Sequence, residues 1–179
     1  SSVAAAQSAG PKISLYIDDL TAHGAALNQQ WLKVAFVFLL VGYGTKMGLA
    51  PLHTWLPDAH SEAPSLVSAL LSGALLNCAF LGLLRTQEIC VTAGCAGFGQ
   101  QLFIVFGLFS LAIAAVFIIG QTDFKRMLAY SSVEHIGILA LGVGLAGQGV
   151  SGAMFHAVNH SLTKGCLFLL AGNILAVYG

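Results

Sequence analysis

The chain has 179 residues, of which 57% are hydrophobic types and only 8% are Asp, Glu, Lys or Arg, against about 25% charged in a soluble domain. So few charges cannot cover the surface of a soluble globule, and the mean hydropathy is +0.85. Seven Lys and Arg balance seven Asp and Glu, which excludes a basic field for nucleic acid and an acidic tail.

The chain opens Ser1-Ser2-Val3, without Met and without the basic-then-apolar pattern of a signal peptide, and reads as a fragment or a processed product. Residues 1–32 mix Lys12, Asp18, Asp19, His23 and Asn28 with Ile13, Leu15, Tyr16, Ile17 and Leu20. That pattern fits a loop or a helix lying at a membrane surface. From residue 33 to 179 the chain is a transmembrane domain. Five apolar stretches follow at about 33–52, 63–84, 101–120, 127–147 and 150–177, near the roughly 20 residues a spanning helix needs. The breaks are short and polar: His53–Glu62, Arg85–Gln100, Gln121–Arg126 and a Gly-Gln-Gly hinge at 147–149. Inside lipid the backbone must satisfy itself, so the fold class is all-α integral membrane. Gly44 and Gly48 form a G-x-x-x-G pair, read as a helix-packing face. The positive-inside rule leans toward a cytoplasmic location for Lys125 and Arg126.

Polar residues inside the apolar stretches carry the chemical information. A lysine at a helix centre costs about 2.5–3.5 kcal/mol and faces a bundle interior, a partner or water. Lys46 lies in the first stretch and Lys164 near the middle of the last. His156, His160 and Lys164 are spaced four apart, so they share one helix stripe. Such a ladder of imidazoles and an amine can pass protons. The plainer account has the two histidines hydrogen-bonding neighbouring helices. Glu134 and His135 lie one or two turns inside the fourth stretch, where a carboxylate seeks a cation such as Lys164 or Lys46. Asn77, in the second stretch, reads as a water-chain or packing residue.

The segment 53–62 is the densest polar one, with His53, Asp58, His60 and Glu62 beside Trp55. The last three acidic or imidazole groups can cap the helix that Pro64 starts, or pair with Lys125 and Arg126. His53, Asp58 and His60 are a weaker metal candidate. Pro51 follows Lys46 by five residues and frees a carbonyl near it, so this helix is expected to be discontinuous, as in transporters. Cys78, Cys90, Cys95 and Cys166 form no C-x-x-C, which indicates neither a zinc site nor a disulfide framework.

Four motifs then carry a resemblance over about 33–179: K-M-G-L-A-P-L-H-T-W-L-P-D-A-H-S-E-A-P, L-L-S-G-A-L-L-N-C-A-F-L-G-L-L-R, Q-T-D-F-K-R-M-L-A-Y-S-S-V-E-H-I-G-I, and F-H-A-V-N-H-S-L-T-K-G-C-L-F-L-L-A-G-N-I. Their order resembles the antiporter-like proton-translocating membrane subunits. That family spans respiratory complex I, multi-subunit sodium/proton antiporters and group 4 hydrogenases; the wording is most similar to the hydrogenase-4 component F type. The resemblance implies that Lys46 is the lysine of a discontinuous helix, and that His156, His160 and Lys164 form the central polar axis. Asn77 stands where many complex I members carry a second lysine, which shifts weight onto Lys164. About five helices would then be part of a larger inverted-repeat bundle. The implied function is proton translocation driven by redox chemistry in other membrane and peripheral subunits, in a bacterial or archaeal cytoplasmic membrane. The alternatives are a sodium/proton antiporter subunit and a purely structural membrane subunit. A redox enzyme in its own right is set aside: the sequence has no Gly-rich nucleotide loop, iron–sulfur cysteine cluster or haem motif, and no cofactor is expected in this chain.

Overall fold

Asn28 starts the first long helix by accepting hydrogen bonds from the amides of Gln30 and Trp31 on its side-chain oxygen. The computed structural model describes residues 15–178; the part of the expected surface segment before residue 15 lies outside them. Seven helices are seen among the described residues: α1 Ile17–Ala22, α2 Gln29–Met47, α3 Trp55–Glu62, α4 Ser65–Thr92, α5 Ala96–Ile119, α6 Phe124–Gly144 and α7 Gln148–Tyr178. A 3₁₀ turn, Gly24–Ala26, joins α1 to the start of α2. Within α4, residues Leu71–Leu75 form one π-helical turn.

Four of these helices, α4 to α7, are long and apolar enough to cross a membrane. The stretch expected to be the first span, α2, falls short of them. It has 19 residues, with Gln29, Gln30 and Lys33 near one end and Lys46 at the other. It also stops at Met47 rather than continuing to residue 52. Gly48 adopts the left-handed conformation at φ 78°. Its amide donates to Thr45, and the amide of Leu49 donates to Gly44 at 2.8 Å. These two bonds make a Schellman ending. Gly44 and Gly48 therefore terminate a helix; the helix-packing reading of that pair is corrected. Trp55 Nε1 donates to the Thr45 carbonyl at 2.7 Å, and Ser110 Oγ accepts from the Ala50 amide at 2.9 Å. The break is thus internally satisfied, and the chain resumes as α3. This α2–α3 pair is the discontinuous helix expected near Lys46.

The other helices depart from their apolar stretches at their ends: α4 runs past residue 84, α5 starts before 101, α7 starts before 150, and α6 is displaced toward the N-terminus, ending at Gly144 rather than 147. α4 continues through Arg85, Gln87 and Glu88 to Thr92 because its last turns reach the polar edge. There Arg85 and Glu88 pair three residues apart at 3.1 Å, and Gln87 donates to the Ala96 carbonyl. α6 begins at Phe124, where Asp123 accepts from the Lys125 and Arg126 amides.

The short loops make α4 to α7 alternate in direction. α3, the α5–α6 loop and the end of α7 lie on one face; the α4–α5 and α6–α7 loops lie on the other. α6 is the most enclosed of the four, packed by α3, α5 and α7. It approaches α5 closely at Gly107 and Gly137, where a Cβ on either residue would lie 2.9 Å from the other's carbonyl oxygen. Outward faces keep large apolar side chains exposed, such as Val116, Phe155 and Leu162, as lipid or neighbouring helices require.

Gly48→Ala is expected to lower the melting temperature of the detergent-solubilised protein by roughly 2–8 °C, from about 1–2 kcal/mol of left-handed strain and a Cβ 2.9 Å from Leu56 Cδ2. Gly44→Ala, whose Cβ would meet nothing nearer than 3.7 Å, is expected to leave it unchanged or slightly higher.

Candidate functional site

Lys164 is the most informative side chain in the core. It is 1% exposed, and its Nζ donates to the Leu128 carbonyl of α6 at 3.0 Å. Ser132 Oγ donates to the same carbonyl at 3.1 Å and shares a hydrogen bond with Ser72 Oγ of α4 at 2.9 Å. Ser72 sits in the π turn, which turns its hydroxyl toward α6. Amine, carbonyl and two hydroxyls thus form one buried network across three helices.

The stripe of His156, His160 and Lys164 faces α6. His156 Nε2 and His135 Nδ1 share a hydrogen bond at 2.9 Å. The His135 ring also lies 5.2 Å from that of His160. His160 is buried, and neither of its ring nitrogens has a hydrogen-bond partner among the described residues. So the plainer account covers His156, which bonds a neighbouring helix, and does not cover His160. Glu134 is half-buried, and its charge reaches Lys164. It makes no direct ion pair with it: among the described residues, pairs within 4.0 Å are Arg85–Glu88 and Arg126–Asp58.

Asn77 ties α4 to α7. Its amide nitrogen donates to the Ala157 carbonyl at 2.9 Å and to Ser161 Oγ at 2.5 Å, while its carbonyl oxygen is buried without a hydrogen-bond partner among the described residues. The amide nitrogen thus ties two helices together.

Two expectations place residues together that the fold keeps apart. Lys46 is exposed on the flank of α2 and does not join the Lys164 cluster; the carboxylate of Glu134 acts on Lys164 instead. In segment 53–62 the polar residues divide. Asp58 pairs with Arg126 at the surface, Glu62 is exposed, and Lys125 Nζ donates to the Ala63 carbonyl at 2.9 Å. His53 and His60 turn inward. None of the three caps the next helix, which starts at Ser65 after Pro64 without a side-chain cap. His53, Asp58 and His60 do not form a metal cluster, and no group of three His, Cys, Asp or Glu able to hold a metal occurs among the described residues.

His53 rests edge-on to Tyr130 and His60 stacks on Phe168. Burial holds both imidazoles below their ordinary value of 6.5. For His60, the positive charges of Lys164 and Lys125 add to burial and bring it to about 4. Sequence reasoning missed Ser72, Ser132, Ser161 and the Leu128 carbonyl. Serine in an apolar run carries no periodic signal, and a carbonyl carries none at all.

The fold and site define a class: a helical membrane protein that buries a lysine and a histidine on one helix between its spans. Residues 7–177 match the family model described as NADH:quinone oxidoreductase/Mrp antiporter, TM, and the chain belongs to that family. It is 42% identical over 157 residues to the hydrogenase-4 component F homolog of Methylacidiphilum infernorum, covering 87% of this chain and 33% of that protein. It is 39% identical to hydrogenase-4 component B of Escherichia coli K12, over 80% of this chain and 23% of the relative. It is 41% identical to an NAD(P)H-quinone oxidoreductase chain 4 of Picosynechococcus, over 80% of this chain and 26% of the relative. The chain therefore spans a third or less of these relatives' lengths. The structure of the Mrp complex from Dietzia sp. DQ12-45-1b shares the fold, with a TM-score of 0.71 at 24% identity, over 88% of this chain and 33% of that one.

The buried imidazoles give folding stability a pH dependence of one sign. His60 and His53 bind a proton more readily in the unfolded chain than in the fold. Stability is therefore level above pH 6.5 and falls as the pH drops toward about 4, the folded value for His60. Melting of the solubilised protein between pH 7.5 and 4.5 checks this. His60→Phe, which keeps a ring against Phe168, is expected to flatten the decline.

Proposed function

We propose that this chain is the central part of a proton-translocating membrane subunit in a multi-subunit redox complex of the hydrogenase-4 or NAD(P)H-quinone oxidoreductase type, in a bacterial or archaeal cytoplasmic membrane. Its partners are the other membrane subunits and the peripheral subunits, which perform the electron transfer. One observation carries the reading. A lysine amine, 1% exposed in an apolar bundle, has a single acceptor among the described residues and lies on one stripe with two histidines. A lysine placed only for packing would be a costly choice there. A lysine that loads and releases a proton needs this enclosure and a chain of neighbours to pass the proton along.

The roles follow from placement. Lys164 holds the proton. His160, His135 and His156 extend the path toward the α6–α7 loop, and Ser132 and Ser72 extend it toward α4. Glu134 is the acidic counter-charge, so a change in its surroundings alters how firmly Lys164 keeps its proton. Lys46, exposed on α2, offers its amine to an acidic group supplied by helices outside this chain. Asn77 orders α4 against α7 and presents its free oxygen to water. The Asp58–Arg126 pair and Glu62 mark the surface where motion of neighbouring subunits can be felt.

Lys164→Ala is expected to leave the complex assembled and to cut proton pumping in membrane vesicles below about a tenth of the normal rate, since a positioned proton-transfer group contributes on the order of 10²-fold or more. Normal pumping by a well-assembled variant would sink the reading. Proton movement that depends on sodium and needs no redox substrate would assign the same residues to cation/proton antiport instead.

A further inference from the structure

Among the described residues outside the four spanning helices, one titratable side chain is fully enclosed. His60 on α3 is 0% exposed, and neither ring nitrogen has a hydrogen-bond partner among the described residues. Buried polar atoms almost always have partners, either protein groups or ordered water. The ring lies flat on Phe168, with centroids 4.6 Å apart and planes 14° apart. That stack covers a face of the imidazole and leaves its nitrogen-bearing edges to polar partners.

The position of the ring is as informative as its bonding. Phe168 is one helical turn beyond Lys164 on α7, so His60 sits at the next level of the stripe that His156, His160 and Lys164 begin. The charges of Lys164 from α7 and Lys125 from α6 both reach it. Its own helix is pinned: Ser68 Oγ donates to the His60 carbonyl, and Leu56 and Pro57 are buried. Two residues earlier, Asp58 forms the exposed pair with Arg126. His60 therefore stands between the enclosed amine and the aqueous edge of the bundle.

We propose that His60 is the port through which Lys164 exchanges its proton with the face that carries the Asp58–Arg126 pair. This rests on the reading of Lys164 as a proton-loading group. In the outward direction an N–H bond of the Lys164 ammonium breaks and leaves its electron pair on Nζ. The proton crosses water to the unprotonated nitrogen of the neutral imidazole. The opposite N–H bond of the imidazolium then breaks, its proton passes to surface water, and the ring is neutral again as the other tautomer. Uptake is the reverse, and nothing is oxidised or reduced. A ring held near 4 stays neutral between transfers. It therefore neither traps the proton nor repels the ammonium beside it. Lys164 and Lys125 are the cations facing the ring; the carboxylates of its own helix, Asp58 and Glu62, are exposed.

The test uses the full-length protein in its native complex, with dye-monitored pumping driven by the electron donor of that complex. His60→Phe keeps the flat stack and removes both nitrogens. It is expected to assemble, to transfer electrons, and to pump below about a tenth of the normal rate. His60→Gln keeps hydrogen-bonding edges and cannot exchange tautomers, so it is expected to lose pumping equally. Normal pumping by His60→Phe would make the ring a packing element. Recovery by His60→Gln would make it a structural hydrogen-bonding anchor. Either result overturns the port. Lys164→Ala is measured alongside: if that variant pumps normally, the underlying reading fails, whereas loss there with normal pumping by His60→Phe removes the port alone. Should His60→Phe not assemble, His60→Gln decides.

Discussion

The hydrogen bond from Lys164 to the Leu128 carbonyl is the constraint around which the bundle is arranged. An ammonium cannot be left bare in an apolar interior, so every element near it has to offer something polar without letting in bulk water. α6 offers a backbone carbonyl, which Ser132 also uses, and the carboxylate of Glu134 within electrostatic reach. α4 offers Ser72 through its π turn. α7 offers the two histidines above the amine. The helix with the most to offer, α6, is also the most enclosed, and its glycines let α5 come close enough to seal it. Packing and polarity are thus the same design problem here, solved on the same helix.

The break after Met47 solves a second problem. A continuous first span could not bring side chains from the surface segment into the bundle. Ending α2 in a left-handed glycine lets the chain turn, satisfy its loose groups with Trp55 and Ser110, and re-enter as the short helix α3. α3 is amphipathic in an unusual sense. Its outer side carries Asp58 and Glu62, while its inner side carries Leu56, Pro57 and His60. A surface segment that looks uniformly polar in sequence is therefore two-sided, with one imidazole delivered to the interior.

This explains what the sequence made legible. Helical period and the cost of burying charge were enough to find Lys164 and to place His156 and His160 on its stripe. They also gave the fold class and a discontinuous helix near Lys46, although the break itself is made by the left-handed Gly48 rather than by Pro51. What they left out is the direction each stripe faces. Lys46 and Lys164 look alike as lysines in apolar runs, yet one is exposed and one is sealed, because only Lys164 has helices packed over it on every side. The same gap hid the division of segment 53–62. Asp58 and His60 are two residues apart, so on a helix they point roughly 200° apart, and one must face out when the other faces in. Gly44 and Gly48 show a third kind of ambiguity: the spacing that suits helix packing equally suits the last turn of a helix ending in a left-handed residue.

Polarity along α7 gives these separate observations a direction. From the α6–α7 loop toward the opposite face the helix presents His156, His160, Lys164 and then Phe168, and α3 continues the line with His60 laid on Phe168. An apolar ring at the fourth step would end a polar path if the path were confined to α7. Instead the aromatic face holds a fifth group in place, contributed by a segment that touches water within two residues. The arrangement needs α3 to be short, broken from α2, and fixed against α6 by the Arg126–Asp58 pair and the Lys125–Ala63 bond. Each of those features has a local cause in glycine, proline or charge. Together they put one buried imidazole between a sealed amine and the membrane edge, a placement that packing alone gives no reason to select.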